Sequence, residues 1–544
     1  MPQRLTDMTP QMDLTHDRGI GPTRQQRPVY VNLVPPCNNA CPAGENIQGW
    51  LALAQAGGYQ QAWQELTRVN PLPAVHGRVC YHPCESHCNR KELDSAVSIH
   101  AVERFLGDLA IKNNWPFPID LPASGKKVLV IGAGPSGLSA AYHLARLGHT
   151  VEIHEAGPVP GGMMHFGIPA YRLPRTELLA EVERIAAMGV RFVYNHKVEN
   201  ILAEKTAGNF DAVFIAIGAH ISKKVDIPAR DANKIMDALS LLRNAESEQK
   251  PLLGRRVAIY GGGNTAMDAA RTAKRLGASD AMIIYRRDRA HMPAHAFEAD
   301  EALAEGVHIH WLSSIRTFAE NELYIERMRI DEQGQAHPTG EFETLSADTL
   351  VLALGQEADT GFLRSVPGIE INADGNVKVD ASLMTGHPGI FGGGDMISNE
   401  RTVTHAVGHG RRAAAHIHAW LTRIPLQAME KPGLVDFAML HLPVFDDAEP
   451  TKQTERNAAA RTEDFDEIIA GLSERQARYE AKRCLSCGVC YECDNCYAAC
   501  PEKAILKLGE GAGYQVDFSK CTGCAVCFEQ CPCHAIEMID ENKV

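Results

Sequence analysis

Apolar residues along the chain follow two rhythms, and the change from one to the other marks a domain boundary. From Asn46 to Val69, residues Ile47, Leu51, Leu53, Ala54, Ala62, Trp63 and Leu66 recur at helical spacing with a break at Gly57-Gly58, which predicts two short helices. A further amphipathic stretch covers Val97–Ile111. The opening 36 residues are polar and read as an extended arm closed by Pro35-Pro36. After the Pro-rich Trp115–Pro122 the pattern becomes short apolar runs alternating with helices: Lys127–Ile131, Gly137–Leu147 and Val151–His154. This is a βαβ unit and implies a parallel sheet. A second strand–glycine–helix unit begins at Arg256–Tyr260 and runs to about residue 371, after which Gly389–Ala415 returns to a strand and a helix. Strands Ala212–Gly218 and Thr349–Gly355 each end in glycine, as expected where a chain passes from one domain to another. Residues 431–480 read as a linker followed by a charged helix, Glu463–Lys482.

The expected fold class is multidomain α/β. It comprises a helical domain over 1–122, one Rossmann-like domain from 123–253 and 377–430, a second inserted at 254–376, a linker and helix at 431–482, and a cysteine-dense domain at 483–544. No apolar run approaches the ~18 residues of a membrane helix, so no membrane span is expected. The first thirty residues hold neither the apolar segment of a secretory signal nor a twin-arginine pair, which makes the cytoplasm the expected location. A net charge of −13 argues against nucleic acid and suits electron-transfer partners with basic faces.

Two glycine-rich turns carry nucleotide chemistry. Lys127–Ile131 runs into Gly132-Ala-Gly134-Pro-Ser-Gly137 and a helix, with Glu155 at the end of the next strand. Gly132 permits the tight turn, Gly134 lets the backbone approach a pyrophosphate, Gly137 lets helix pack on strand, and Glu155 can bind ribose hydroxyls. The second turn, Gly261-Gly-Gly263-Asn264-Thr-Ala266, repeats the form with Ala266 in the third-glycine place. Arg286 and Arg287 follow its next strand where an acid would otherwise stand, which suits a 2′-phosphate and makes NADPH the expected nucleotide, NADH being the alternative. An arginine pair at a strand end is also compatible with a solvated rim. Gly392-Gly-Gly-Asp395, followed by Thr402-Val403 and a helix Ala406–Ala415, has the form in which an acid and a helix N-terminus meet a flavin. With the two turns it resembles the two-dinucleotide-binding flavoproteins, an NADPH domain inserted into an FAD domain.

All sixteen cysteines lie within 37–88 or 484–533, a distribution that fits metal ligands better than disulfides. Near the C-terminus, Cys490-x2-Cys493-x2-Cys496-x3-Cys500-Pro501 and Cys521-x2-Cys524-x2-Cys527-x3-Cys531-Pro532 form the two-cluster ferredoxin signature. The fourth cysteine of each run serves the other cluster, giving Cys490, Cys493, Cys496 and Cys531 for one and Cys521, Cys524, Cys527 and Cys500 for the other.

Residues 30–430 resemble the family of the glutamate synthase small subunit, the large subunit of NADH-dependent ferredoxin:NADP oxidoreductase and the N-terminal half of dihydropyrimidine dehydrogenase. The resemblance rests on Pro35-Pro-Cys37-x3-Cys41-Pro, Asn70-Pro-Leu-Pro, Gly77-Arg-Val-Cys80, Gly161-Gly162-Met-x3-Gly167-Ile-Pro-x-Tyr171-Arg-Leu-Pro, and Tyr285-Arg-Arg287 with Met292-Pro-Ala294. It implies FAD, with Gly162 among its binding residues, and two N-terminal [4Fe-4S] clusters. Family members place a Glu-Ala-x-Arg-Cys-Leu-x-Cys segment just ahead of the first motif. Here that segment stands at the other end, as Glu480-Ala-Lys-Arg-Cys484-Leu-Ser-Cys487. A folded-back C-terminus would complete the first cluster as Cys37, Cys88, Cys484 and Cys487, leaving Cys41, Cys80 and Cys84 with Glu103 for the second. The alternatives are spare thiols at Cys484 and Cys487 and a solvated Glu103. Four clusters would then use every cysteine but Cys533. Cys487 and Cys490 would serve different clusters with Cα atoms within about 10 Å of one another.

The resemblance implies an electron-transferring NAD(P)H:acceptor oxidoreductase subunit of a hetero-oligomer. Its partner would be a ferredoxin or a catalytic oxidoreductase subunit, such as a 2-oxoacid:ferredoxin or aldehyde oxidoreductase. Electrons would pass between NADPH, FAD, the Cys41/Cys80/Cys84 cluster, the Cys37/Cys88 cluster and the ferredoxin-like pair. The alternatives are a glutamate synthase small subunit, which lacks the ferredoxin tail, and an electron-wiring scaffold without nucleotide turnover. Hydride transfer requires positioning rather than a protein acid, so no catalytic residue is assigned. His165 and Tyr171, in the segment the family places near the flavin, are expected to pack.

Overall fold

The computed structural model describes residues 24–543 except 224–226, 231–233, 248, 428–430 and 444. The two N-terminal helices form at Ile47–Ala56 and Tyr59–Thr67, the first ended by Gly57 at φ +88°, a left-handed cap that glycine adopts without strain. Their buried faces, with Trp50, Leu51, Trp63 and Leu66, join a single core with Val128–Val130 and Phe214 of the first parallel sheet. The helical region is therefore packed onto the first nucleotide domain rather than tethered to it.

That sheet runs in the order Ile390–Gly392, Ala212–Ile215, Lys127–Ile131, Thr150–His154, Arg191–Val193, all parallel. A second parallel sheet runs Val307–His310, Asp280–Ile284, Arg256–Tyr260, Thr349–Leu352, Lys234–Asp237. Lys234–Asp237 lies before the expected start of the inserted domain at 254. Leu363 and Val366, assigned from sequence to the insert, pack in the core of the first sheet instead. The first boundary moves through strand pairing across more than a hundred residues and the second through core packing, and neither leaves a local signal. The two crossings, Ile221–Ser222 and Gln356–Glu357, pair with each other as a short antiparallel ribbon.

The arm also differs from expectation. Residues 1–23 lie outside the described residues, but Gln26–Tyr30 is a strand that pairs antiparallel with Ile536–Asp540, Gln26 opposite Asp540 and Tyr30 opposite Ile536. The two ends of the chain thus share one sheet. The linker helix begins at Glu474 rather than Glu463, because Ser473 and Gln476 form a capping box there. The preceding residues form a short helix, Ala458–Arg461, and turns, with Glu455 bridged to Ile469 and Ile468 N donating to Tyr171 O at 3.1 Å. The Glu474–Lys482 helix packs on Ile47–Ala56 and on Ile99–Lys112 and delivers Cys484 and Cys487 to the N-terminal region. Buried Arg483 fixes this arrival, donating to Ser95 O at 2.8 Å, to Ala96 O at 3.0 Å and to Asp94 at 3.1 Å. The Gly392–Asp395 turn leads to a helix spanning Val403–Thr422, longer at both ends than expected. Among the described residues no helix is long and apolar enough to cross a membrane.

Candidate functional site

The first glycine turn passes directly into the Pro135–Arg146 helix. A Cβ at Gly137 would collide with the Gly132 carbonyl, so the helix packs this close only with glycine there. At Gly134 a Cβ would meet nothing within 4 Å, because that face opens on a cavity of about 780 Å³. Gly132, Gly134, Glu155, Gly162, Asp395, Thr402 and Val403 all line it. Glu155 accepts from Ala133 N at 2.8 Å and Gly157 N at 2.7 Å, which fixes its carboxylate at the cavity wall. Burial pushes the Asp395 carboxyl up to about 6, with Arg401 opposing. Thr402 caps the Val403–Thr422 helix by accepting from His405 N at 3.2 Å, so the positive end of a twenty-residue helix meets the cavity. A cleft of this size, with an open glycine backbone, an acid and a helix N-terminus on its walls, fits FAD.

In the second turn, Gly261 takes φ +148°, Gly263 caps the Asn264–Arg275 helix and Ala266 is fully buried. Asn264 and Thr265 line the same large cavity as the first turn. Gly261, Gly263 and Ala266 do not line it, and neither do Arg286 and Arg287, which follow the Asp280–Ile284 strand. Arg286 is exposed; Arg287 is half-buried, with a buried Nε that has no hydrogen-bond partner among the described residues. His165 and Tyr171 do not line the cavity either. Tyr171 is fully buried beneath Arg275, whose guanidinium lies 3.7 Å from the ring centroid, a packing role.

The cysteines gather into sets. Cys37, Cys88, Cys484 and Cys487, from opposite ends of the chain, line one cavity of about 20 Å³ together with Pro35, Leu51 and Ile99. Burial pushes the Cys37 thiol up, and the thiols of Cys484, Cys88 and Cys487 push it further. Cys41, Cys80 and Cys84 are likewise neighbours: burial raises Cys84, with Glu85, Cys80, Cys41 and Glu103 adding to it. Glu103 is buried rather than solvated, because its helix, Ile99–Lys112, crosses Pro73–Val79 at two glycines. A Cβ at Gly77 would collide with Arg104, and one at Gly107 with Ala74. This close crossing brings Glu103 beside Cys80, which ends the shorter helix.

Cys490, Cys493, Cys496 and Cys531 form a third group: burial pushes Cys496 up to about 11, and Cys493, Cys490 and Cys531 contribute. Cys500, Cys521, Cys524 and Cys527 line another cavity of about 20 Å³, with Cys524 exposed. Cys533 is buried, its sulfur 3.8 Å from that of Cys531. Four thiols converging on a small cavity are the donor set of an iron–sulfur cluster, and the grouping fits such a cofactor.

Several partners carried no readable signal. Asn70 Nδ2 lies 2.8 Å from Glu103 Oε1 and 2.9 Å from Glu45 Oε1, the latter carboxyl pushed up to about 7 by burial. Asn70 stands in a motif quoted for the resemblance, yet nothing in sequence joins it to Glu45. Thr404 donates to Cys80 Sγ at 3.1 Å, Asn89 Nδ2 lies 3.5 Å from Cys487 Sγ and the Tyr30 hydroxyl 3.3 Å from Cys496 Sγ.

Residues 126–410 match the family model for pyridine nucleotide-disulphide oxidoreductase, 26–115 that for dihydropyrimidine dehydrogenase domain II, 4Fe-4S cluster, and 514–537 a 4Fe-4S binding domain. The chain is 36% identical over 524 residues to the NADP(+)-dependent formate dehydrogenase subunit beta of Moorella thermoacetica, covering 87% of this chain and 74% of that one. It is 33% identical to the NADPH-Fe(3+) oxidoreductase subunit beta of Geobacter sulfurreducens, over 83% of this chain and 75% of the relative. It is 31% identical to the glutamate synthase [NADPH] small chain of Escherichia coli, over 71% and 89%. The chain belongs to the pyridine nucleotide-disulphide oxidoreductase family, as an FAD- and iron–sulfur-dependent NAD(P)H oxidoreductase with 4Fe-4S domains at both ends.

Proposed function

We propose that the chain is the NADPH-linked subunit of a hetero-oligomeric oxidoreductase, exchanging electrons with a catalytic partner subunit through FAD and four [4Fe-4S] clusters. The observation that carries this reading is the cavity lined by Cys37, Cys88, Cys484 and Cys487, cysteines from both ends of the sequence, which supports a cluster between the flavin-side cysteines and the ferredoxin-like pair. FAD, when bound, accepts a hydride from NADPH and gives up electrons singly, as one-electron clusters require. Gly132, Gly134, Gly162, Glu155, Asp395 and the Thr402–Val403 helix end would hold the flavin. Gly261, Gly263, Asn264 and Ala266 would hold NADPH, with Arg286 and Arg287 on its 2′-phosphate. The ligand sets would be Cys41/Cys80/Cys84/Glu103, Cys37/Cys88/Cys484/Cys487, Cys490/Cys493/Cys496/Cys531 and Cys500/Cys521/Cys524/Cys527.

Exposed Cys524 makes the last set the exit to a partner. Relatives named as beta subunits of a formate dehydrogenase and of an NADPH-Fe(3+) oxidoreductase support a partner that carries the substrate chemistry. Anoxic addition of NADPH to the holoenzyme tests the reading. It should bleach the flavin band and bring up reduced-cluster EPR signals; an unbleached flavin would leave only a wiring scaffold.

A further inference from the structure

Thr404 stands at the second position of the Val403–Thr422 helix, between the flavin cavity and a cysteine set. Thr402 and Val403 line the cavity, as does Val79, the residue before Cys80. The Thr404 side chain donates from its hydroxyl to Cys80 Sγ at 3.1 Å. A helical threonine commonly returns its hydroxyl proton to a carbonyl three or four residues back. At this second position those residues precede the helix, and the bond formed is to sulfur instead. Thr404 is buried, so water does not compete for the contact.

Hydrogen bonds to ligand sulfurs are among the features that set a cluster's potential, because they favour the state with more negative charge. Reduction adds one electron to the cluster, with no bond broken and no proton moved. We propose that Thr404 raises the reduction potential of the cluster held by Cys80, making it the favoured electron acceptor beside the flavin cavity. This rests on the reading that Cys80 is a cluster ligand.

The test is an anoxic EPR-monitored redox titration of the holoenzyme carrying Thr404→Val, which is near-isosteric, or Thr404→Ser, which keeps the donor. In the valine variant one midpoint should fall. At fixed ambient potential the reduced-to-oxidised ratio of that cluster should drop about tenfold, equivalent to 59 mV for a one-electron couple. The other midpoints and the iron content should hold, and serine should restore the wild-type value. An unshifted midpoint in an iron-replete valine variant would overturn the proposal, as would an equal shift in the serine variant. If the valine variant loses iron, Thr404→Ala is judged by the same criteria; loss of iron from both while serine retains it makes the hydroxyl a folding element and also overturns the proposal. Cys80→Ser separates the underlying reading: full iron content in that variant would sink it whatever Thr404 does.

Discussion

The N-terminal region through Lys112 and the C-terminal, ferredoxin-like region from Cys484 both gather cysteines, yet different forces hold them. Trp50, Trp63, Val102 and Leu106 of the first are fully buried in a core shared with the first parallel sheet. In the second, the buried cluster is Cys496, Ile505, Val516, Cys527, Cys531, Cys533, Ala535 and Ile536, half of them cysteines. A region that small cannot bury enough apolar surface to fold alone and needs metal or covalent staples. The N-terminal cysteines are guests in an existing core, whereas the C-terminal cysteines are the core. The regions also exchange parts: the first lends strand Gln26–Tyr30 to the second, and the second lends Cys484 and Cys487 to the first.

Iron removal should separate the two regions most widely. In hydrogen exchange on chelator-treated protein, amides of Ile505–Lys507, Tyr514–Val516 and Ile536–Asp540 should lose their protection while Ile99–Lys112 keeps most of its own. Equal loss in both regions would erase the distinction. A smaller effect is expected from Arg483→Met, at the junction of the two. The substitution leaves buried Glu480 and the adjoining Asp94 short of a charge partner. It should cost about 3–5 kcal/mol, read as a lowered unfolding midpoint of the holoenzyme. A change below about 1 kcal/mol would mean that the helix arrives without this anchor. The smallest effect is assigned to Tyr30→Phe, which removes a hydroxyl 3.3 Å from Cys496 Sγ. One C-terminal cluster should show about a threefold fall in reduced-to-oxidised ratio at fixed potential, with N-terminal midpoints unmoved.

Much of the site was legible because the chemistry demands fixed local spacings. The glycine turns at 132–137 and 261–266 and the two four-cysteine runs lie within a dozen residues each, and every part of a function is visible in one window. The return of Cys484 and Cys487 was legible only as a segment standing in an unexpected place. What sequence could not give is contact between distant segments. Gln26–Tyr30 carries no strong strand pattern, and only its partner Ile536–Asp540 makes it one. The insert boundary moved because Lys234–Asp237 is claimed by Thr349–Leu352. The capping residues Ser473 and Gln476 were present to be read, and they move the helix start eleven residues from where charge alone put it. Thr404, Tyr30 and Asn89 touch sulfur through tertiary approach, which no spacing rule encodes.

Iron analysis of anoxically purified Cys484→Ser/Cys487→Ser holoenzyme shows whether the two ends of the chain complete one cluster. If they do, the variant should lose one cluster's iron, four atoms per chain, with both ferredoxin-type EPR signals intact. Full iron content, or loss of a ferredoxin-type signal with the N-terminal clusters unchanged, would contradict it.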